Sequence, residues 1–261
     1  MEIDKSKLSP ESKIMVDLLL SPQWPEAVQP FLICSDTEAD KIERAEGIAS
    51  YFEVDWNNKK ILDFGCGEGH LAYHFQKQGA KSFGYDIIKT GALEWEAPTN
   101  TLLTTDFKKI KESKPFDYVI LYDVLDHCTD PVATLKQIHE VCDQKTTLLV
   151  RCHSWMSRHG GHLYKKLNKA YIQLFFSPKE LEIMGLVPET TQKYYFPILT
   201  HKEWFKNAGF MVVKEDVVQS FIEDFFRKKE MSDRLPNLWQ GQYPEWQMSQ
   251  AFNDYKLKII S

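Results

Sequence analysis

The chain has no hydrophobic run long enough to cross a bilayer, no paired cysteine motif and no basic excess, and each of these lacks argues against a class of function. Its longest apolar stretches, such as Met15 to Leu20, are short and contain Asp17, whereas a membrane helix needs roughly 18 to 20 apolar residues. The opening Met-Glu-Ile-Asp-Lys carries neither the apolar core nor the cleavage site expected of a secretory signal. Cys34, Cys66, Cys128, Cys142 and Cys152 are odd in number and form no C-x-x-C pair. That argues against a disulfide framework and a structural zinc site, and a reducing, cytoplasmic location is expected. The net charge is −5, where a protein that grips long nucleic acid by its phosphates shows a basic excess or stripe. The small clusters Lys108-Lys109, Lys165-Lys166 and Arg227-Lys228-Lys229 read as solvated helix faces. Neither an internal repeat nor a low-complexity tract is visible.

What is present is an ordinary globular composition. With 261 residues, 43% hydrophobic and 26% charged, the chain can build one large α/β domain or one domain with an elaborated insertion. The first fifty or so residues read as helical: Ser9-Pro10 opens Glu11 to Leu20, and Asp36 to Tyr51 is a second amphipathic stretch, with a turn at 21–25 between them. From Lys59 strands alternate with helices. Strands are expected at 60–64, 81–87, 101–105, 116–124 and 146–152, with a helix from Gly69 to Gln78. A further helix has Asp130 as N-cap, Pro131 at its first position and Val132, Leu135, Ile138 and Val141 on one face. Such alternation implies a parallel sheet covered by helices on both faces. Residues 153–199 interrupt the rhythm with helical stretches at 163–175 and 179–184 and read as an insertion. A capping box at Thr200–Glu203 then opens a helix that ends at Gly209, a strand follows over 210–218, and Tyr255 to Ile260, preceded by a helix from Glu245, reads as the last strand. The expected organisation is a helical extension or cap over 1–55 and one domain over 56–261, carrying the insertion 153–199.

The informative segment is Ile61-Leu-Asp63-Phe64-Gly65-Cys66-Gly67-Glu-Gly69-His70. Glycines at the end of a buried strand allow a sharp turn and a close ligand approach, and the following helix offers free amides at its N-terminus. A dinucleotide fingerprint would need glycine where His70 stands, and a P-loop would need Gly-Lys-Ser/Thr, which is absent. What remains is D-x-G-x-G-x-G. Asp86 ends the second strand, where a carboxylate can accept both hydroxyls of a ribose, and Asp106-Phe107 ends the third.

These residues, with the fourth-strand run Phe116-Asp-Tyr-Val-Ile-Leu-Tyr122-Asp123-Val-Leu-Asp126-His127 and Asp130-Pro131, resemble the class I S-adenosylmethionine-dependent methyltransferases, in particular their small-domain group. The likeness covers roughly residues 58–152, with weaker support over 200–218. It implies a Rossmann-like, seven-stranded, mostly parallel sheet whose last strand runs antiparallel beside the fifth, and S-adenosylmethionine as cofactor. By that resemblance Asp63, Phe64, Gly65, Cys66, Gly67 and Gly69 surround the amino-acid part of the cofactor. Asp86 holds the ribose with Ile87 beside the adenine, Asp106 and Phe107 face the adenine, and Tyr122 and Asp123 line the methionine end. The turn before the fifth strand departs from the family, with Asp143-Gln-Lys-Thr146 in place of the usual Gly-Gly.

A cofactor motif does not name the acceptor, because the cofactor brings the activated methyl and the protein mainly aligns the other partner. The Asp/Asn-Pro-Pro-aromatic motif of enzymes that methylate base amino groups is absent after the fourth strand. Cys128 lacks the preceding proline of a cytosine-methylating nucleophile and reads as a buried, inert thiol. Asp126-His127 reads as a structural pair. The segment from Arg151 to Tyr164 leaves the fifth strand at the edge where ligands bind in open α/β sheets. In it, His153, His159 and His162 are candidate bases, and Arg158 is a candidate clamp for a phosphate or carboxylate. A plain polar loop remains open as an alternative, and a metal site is set aside for want of a well-placed acid. The aromatics Phe221, Phe225, Phe226, Trp239, Tyr243 and Trp246 read as packing. The expected acceptor is an oxygen or nitrogen of a small molecule, anionic ones included. The alternatives are a methyltransferase acting on nucleic acid or another macromolecule, and an inactive cofactor-binding or scaffold subunit.

Overall fold

Seven strands follow from the apolar runs: β1 (Lys60–Phe64), β2 (Lys81–Tyr85), β3 (Thr101–Thr104), β4 (Tyr118–Tyr122), β5 (Thr147–His153), β6 (Phe210–Gln219) and β7 (Gln250–Ile259). In the computed structural model, which describes residues 3–28, 37–88, 101–188, 198–234 and 248–260, they form one sheet of order β3-β2-β1-β4-β5-β7-β6. The pairs β1–β2, β1–β4, β2–β3 and β4–β5 are parallel, and β7 runs antiparallel beside β5, as expected. Strand order reverses at β1, which pairs with β2 on one side and β4 on the other. In open sheets the loops diverge at such a switch point and leave a crevice at the carboxyl ends of the strands.

The helices are α1 (Pro10–Leu20), α2 (Glu38–Tyr51), α3 (His70–Lys77), α4 (Phe107–Glu112), α5 (Pro131–His139), α6 (Ile172–Phe175), α7 (Pro178–Ile183), α8 (Ile198–Asn207), α9 (Asp224–Arg227) and α10 (Lys229–Ser232). Their ends follow capping chemistry legible in the sequence. Asp130 Oδ1 accepts the Ala133 amide at 2.9 Å above Pro131 at the start of α5, which then buries Leu135 and Ile138. Ser9 caps α1, and Ser177 forms a reciprocal capping box with Glu180 on α7. Among the described residues no helix is long and apolar enough to cross a membrane.

The chain forms two compact units. One comprises Cys34–Cys152, Lys202–Asp216 and Asp254–Ser261, and its core includes Ile61, Leu71, Phe75, Ile120 and Leu149. Trp56 belongs to that core, its ring 4.6 Å from Phe75 and 5.4 Å from Tyr118. The other comprises Met1–Ile33, His153–His201 and Val217–Asn253. It packs around Trp24, whose ring lies 5.3 Å from Phe175 and 5.7 Å from Phe226 while its Nε1–H donates to the Ala170 carbonyl at 2.8 Å. Phe225 and Phe226 are thus packing residues of this core. Phe221 is exposed, and Trp239, Tyr243, Trp246 and the start of the helix expected from Glu245 lie outside the described residues.

Local structure differs from expectation at three places. Residues 163–175 are not one helix but a 3₁₀ turn at Leu163–Lys165 followed by α6. The reason is competition for backbone partners: the Ala170 amide donates to Pro25, the Asn168 side chain bridges both backbone groups of Val28, and Tyr171 takes φ +57°. Thr200 is not an N-cap, because α8 already begins at Ile198 and carries Thr200 inside it. Finally, β7 starts at Gln250, ahead of the expected Tyr255.

Leu257 on β7 is fully buried, so β7 contributes core as well as hydrogen bonds. Leu257→Ala is expected to destabilise the protein by about 2–5 kcal/mol through lost burial and a residual cavity, measured as a lowered urea midpoint at unchanged slope.

Candidate active site

The carboxyl end of β1 carries the glycine loop, and local bonds to β2 fix its path. The amides of Gly65 and Cys66 both donate to the Tyr85 carbonyl, at 2.7 and 3.0 Å, and the Gly69 amide donates to Cys66 O at 2.8 Å. The Gly67 amide donates to Asp86 Oδ2 at 2.8 Å. Gly67 takes φ +53°, and nothing lies within 4 Å of where its Cβ would be, so the loop offers bare backbone to open space beside a carboxylate. Gly69 is needed for a second reason. It caps α3 at φ +88°, and a Cβ there would meet Leu103 Cδ1 at 2.6 Å.

Around this loop stand the other residues singled out from the sequence. Asp63 and Phe64 are buried at the end of β1. Burial, reinforced by the charge of Asp86, pushes the Asp63 carboxyl up to about 7, and the Ala72 amide partly offsets this. Burial likewise pushes up the Cys66 thiol. Ile87, just past β2, is 79% exposed, an apolar side chain with no described packing to explain it. Asp106 caps α4, its Oδ1 accepting the Lys108 amide at 3.0 Å. Phe107 packs its ring 5.2 Å from Tyr85 and 6.2 Å from Phe64. Tyr122 ends β4, and Asp123 after it takes φ +56°, a strained backbone position for a residue other than glycine. The Asp126–His127 pair is present, Oδ2 to Nε2 3.5 Å apart, and burial raises the Cys128 thiol, in keeping with an inert cysteine.

The sequence did not reveal what holds Tyr122. Arg151 on β5 donates to both Asp254 carboxylate oxygens at 2.7 Å and to the Tyr122 hydroxyl. Its guanidinium lies 4.7 Å from the ring centroids of both Tyr51 and Tyr122. Tyr51 closes the set by donating to Asp254 Oδ2 at 2.6 Å, and its hydroxyl is pushed up to about 12, chiefly by burial and then by that bond. The available signal was one arginine in the otherwise apolar run Thr147–Cys152; its acid lies 103 positions away in the chain. A second missed group ties α2 to the loop: His70 Nε2 meets Glu38 Oε1 at 2.9 Å, and Lys41 Nζ meets Glu68 Oε2 at 2.6 Å.

In the other unit the histidine-rich segment does gather its histidines. His153 has ring centroids of His159 and His162 at 5.1 and 5.6 Å and of Phe252 at 5.8 Å, and its Nδ1 lies 3.3 Å from the Ala251 carbonyl. Tyr164 flanks His159 at 6.0 Å. Arg158 does not join them through its guanidinium, which binds the Glu26 and Ala27 carbonyls and pairs with Glu223. The staple this makes within the unit occupies the donors that an anion clamp would need.

With this geometry in hand, comparisons with known proteins converge. A family model described as a methyltransferase domain matches residues 39–215. The chain is 28% identical over 148 residues to the ubiquinone biosynthesis O-methyltransferase of Aliivibrio fischeri (strain ATCC 700601 / ES114), which covers 52% of this chain and 56% of that protein. The chain therefore spans about half the length of the curated relatives it matches. In fold it is similar to a SAM dependent methyltransferase from Archaeoglobus fulgidus, with TM-score 0.50, 15% identity and coverage of 84% of this chain and 94% of the other. It is also similar to the magnesium protoporphyrin IX methyltransferase from Synechocystis PCC 6803 with bound SAH, with TM-score 0.50, 15% identity and coverage of 87% and 89%.

The Asp63 carboxyl gives the loop a pH signature. A carboxyl whose value is raised by folding binds its proton more tightly in the folded chain than in the unfolded one. Its contribution to stability is complete below the ordinary aspartate value of about 3.9 and is lost as pH rises through about 7. Asp63→Asn is expected to remove that loss, so the variant melts closer to one temperature between pH 5 and 8 than the parent protein does. Parallel pH–melting curves for the two would contradict the assignment.

Proposed function

The chain belongs to the methyltransferase domain family, and from that premise we propose that it binds S-adenosylmethionine at the glycine loop and methylates an oxygen of a small molecule. The observation that carries the proposal is the pairing of the open backbone at Gly67 with the Asp86 carboxylate 2.8 Å from its amide. Such a cradle, backbone without a side chain beside a carboxylate, fits a ligand that approaches the chain closely and brings a ribose for the acid. Asp63, Phe64, Gly65, Cys66, Gly67 and Gly69 would enclose the amino-acid end. Asp86 would accept the ribose hydroxyls, exposed Ile87 would cover one adenine face, Asp106 and Phe107 would border the adenine edge, and Tyr122 and Asp123 would line the methionine end. When bound, the cofactor supplies a methyl group already activated on a sulfonium.

The acceptor is the less constrained half. The curated relatives are O-methyltransferases by name, which favours a hydroxyl on a small molecule over a nucleic acid, as does the net charge of −5. A hydroxyl needs a base to become a good nucleophile. β5 pairs in parallel with β4, and β4 with β1, and β5 ends at His153. If Nδ1–H is donated to Ala251, Nε2 is the basic atom. His153 would then take the acceptor proton, with His159 and His162 beside it to orient the ring and share the charge. Arg158 acts here as a positioning residue, through the carbonyls of Glu26 and Ala27 that it holds.

Calorimetry with the purified chain should show binding of S-adenosylmethionine and none of nicotinamide dinucleotides. Asp86→Ala is expected to weaken that binding by about 1.5–3 kcal/mol, and Gly67→Val to abolish it, since a β-branched side chain at φ +53° is strained and fills the cradle. Unchanged binding in both variants would remove the cofactor assignment. With a panel of phenolic and aliphatic hydroxyl acceptors, His153→Ala should retain cofactor affinity and lose about 10²- to 10⁴-fold in turnover. Wild-type turnover in that variant would reduce the segment to a structural loop.

A further inference from the structure

β6 forms one end of the sheet order, and among the described residues no strand lies beyond it. An edge strand offers a row of backbone donors and acceptors to any matching strand, and proteins that stay monomeric protect such edges with charge, proline or a bulge. Here the alternate positions Met211, Val213 and Val217 are 50%, 55% and 39% exposed. The strand Phe210-Met-Val-Val-Lys-Glu-Asp-Val-Val-Gln219 is nearly symmetric in character about Glu215. Val213 mirrors Val217, Val212 mirrors Val218, and Lys214 mirrors Asp216 with opposite charge.

We propose that β6 pairs with β6 of a second copy of this chain, antiparallel and centred on Glu215, to make a two-fold dimer. In that register each Lys214 stands opposite Asp216 of the other copy, and each Val213 opposite Val217. Opposite charges facing across strands stabilise, and like charges destabilise. The neighbouring registers are penalised: moving the centre to Lys214 sets that lysine against itself, and moving it to Asp216 sets two carboxylates face to face. Glu215, which does meet its own copy at the axis, is already neutralised by Lys202, with Nζ 2.6 Å from its Oε2. Lys214 and Asp216 lie 2.7 Å apart within one strand, so the dimer joins two such pairs into a four-charge cluster of alternating sign. The partner is a second copy because the strand is complementary to itself, which is the requirement for an isologous two-fold interface.

Sedimentation of the full chain at high micromolar concentration should give a dimer. Lys214→Asp, at an exposed position, and Asp216→Lys, at a half-buried one, should each raise the dissociation constant more than about tenfold by placing like charges opposite one another, with circular dichroism and melting temperature unchanged. An equimolar mixture of the two variants should recover the dimer, since one copy then offers only aspartates and the other only lysines at these positions. The double variant Lys214→Asp/Asp216→Lys should also dimerise. A monomeric parent chain would overturn the proposal. So would single variants that dimerise like the parent, or single variants that dissociate and are not rescued by mixing.

Discussion

Two amides converge on one carbonyl at the end of β2, and the rest of the glycine loop depends on it. Tyr85 O receives the N–H groups of Gly65 and Cys66, so the chain leaving β1 must turn over the end of the neighbouring strand instead of continuing the sheet. Parallel pairing of Phe64 with Tyr85 sets the height of that turn. The next residue of β2's exit, Asp86, then takes the Gly67 amide. Three successive loop amides are thereby satisfied, and glycine at 65 and 67 lets the chain take the positive φ that this path needs without a Cβ clash. The start of α3, the raised Asp63 carboxyl and the open face at Gly67 all follow from this one junction.

This junction was legible in the sequence because it is local. The glycine spacing, the acid before it and the acid ending the next strand lie within about one βαβ unit, whose length and hand are nearly fixed. The caps at Ser9 and Asp130 were legible for the same reason: an N-cap reads only the next three residues. Misreadings arose where a distant segment competed for backbone groups. Residues 163–175 have helical periodicity, but Pro25 and Val28 claim the partners that a continuous helix would use. Thr200 and Glu203 make a valid capping box in isolation, but α8 carries Thr200 inside it, from Ile198 on. The Arg151–Asp254 pair was beyond reach for a simpler reason, since nothing in either neighbourhood points to the other.

The same contrast separates the two halves of the proposed reaction. The proposed cofactor recognition uses bare glycine backbone and one well-placed acid, and that leaves a mark in sequence spacing. Acceptor recognition needs only alignment along the transfer axis and a base, and several residue types on a loop can provide these. The gathering of His153, His159 and His162 in one place is therefore information that the structure adds, since their spacing in the chain does not require it.

The position of β7 has a consequence for how the molecule is made. β7 comes after the other described strands in sequence and yet lies between β5 and β6, which are both synthesised earlier. Without β7, the facing edges of β5 and β6 have no strand to pair with, and Arg151 has no Asp254 carboxylate. Pairing β7 with β5 closes a loop of 103 residues between Arg151 and Asp254, a non-local step of the kind that slows folding. Chain order thus leaves the place between β5 and β6 to a segment made after both of its neighbours, and Arg151 gains its carboxylate only once that segment is in place.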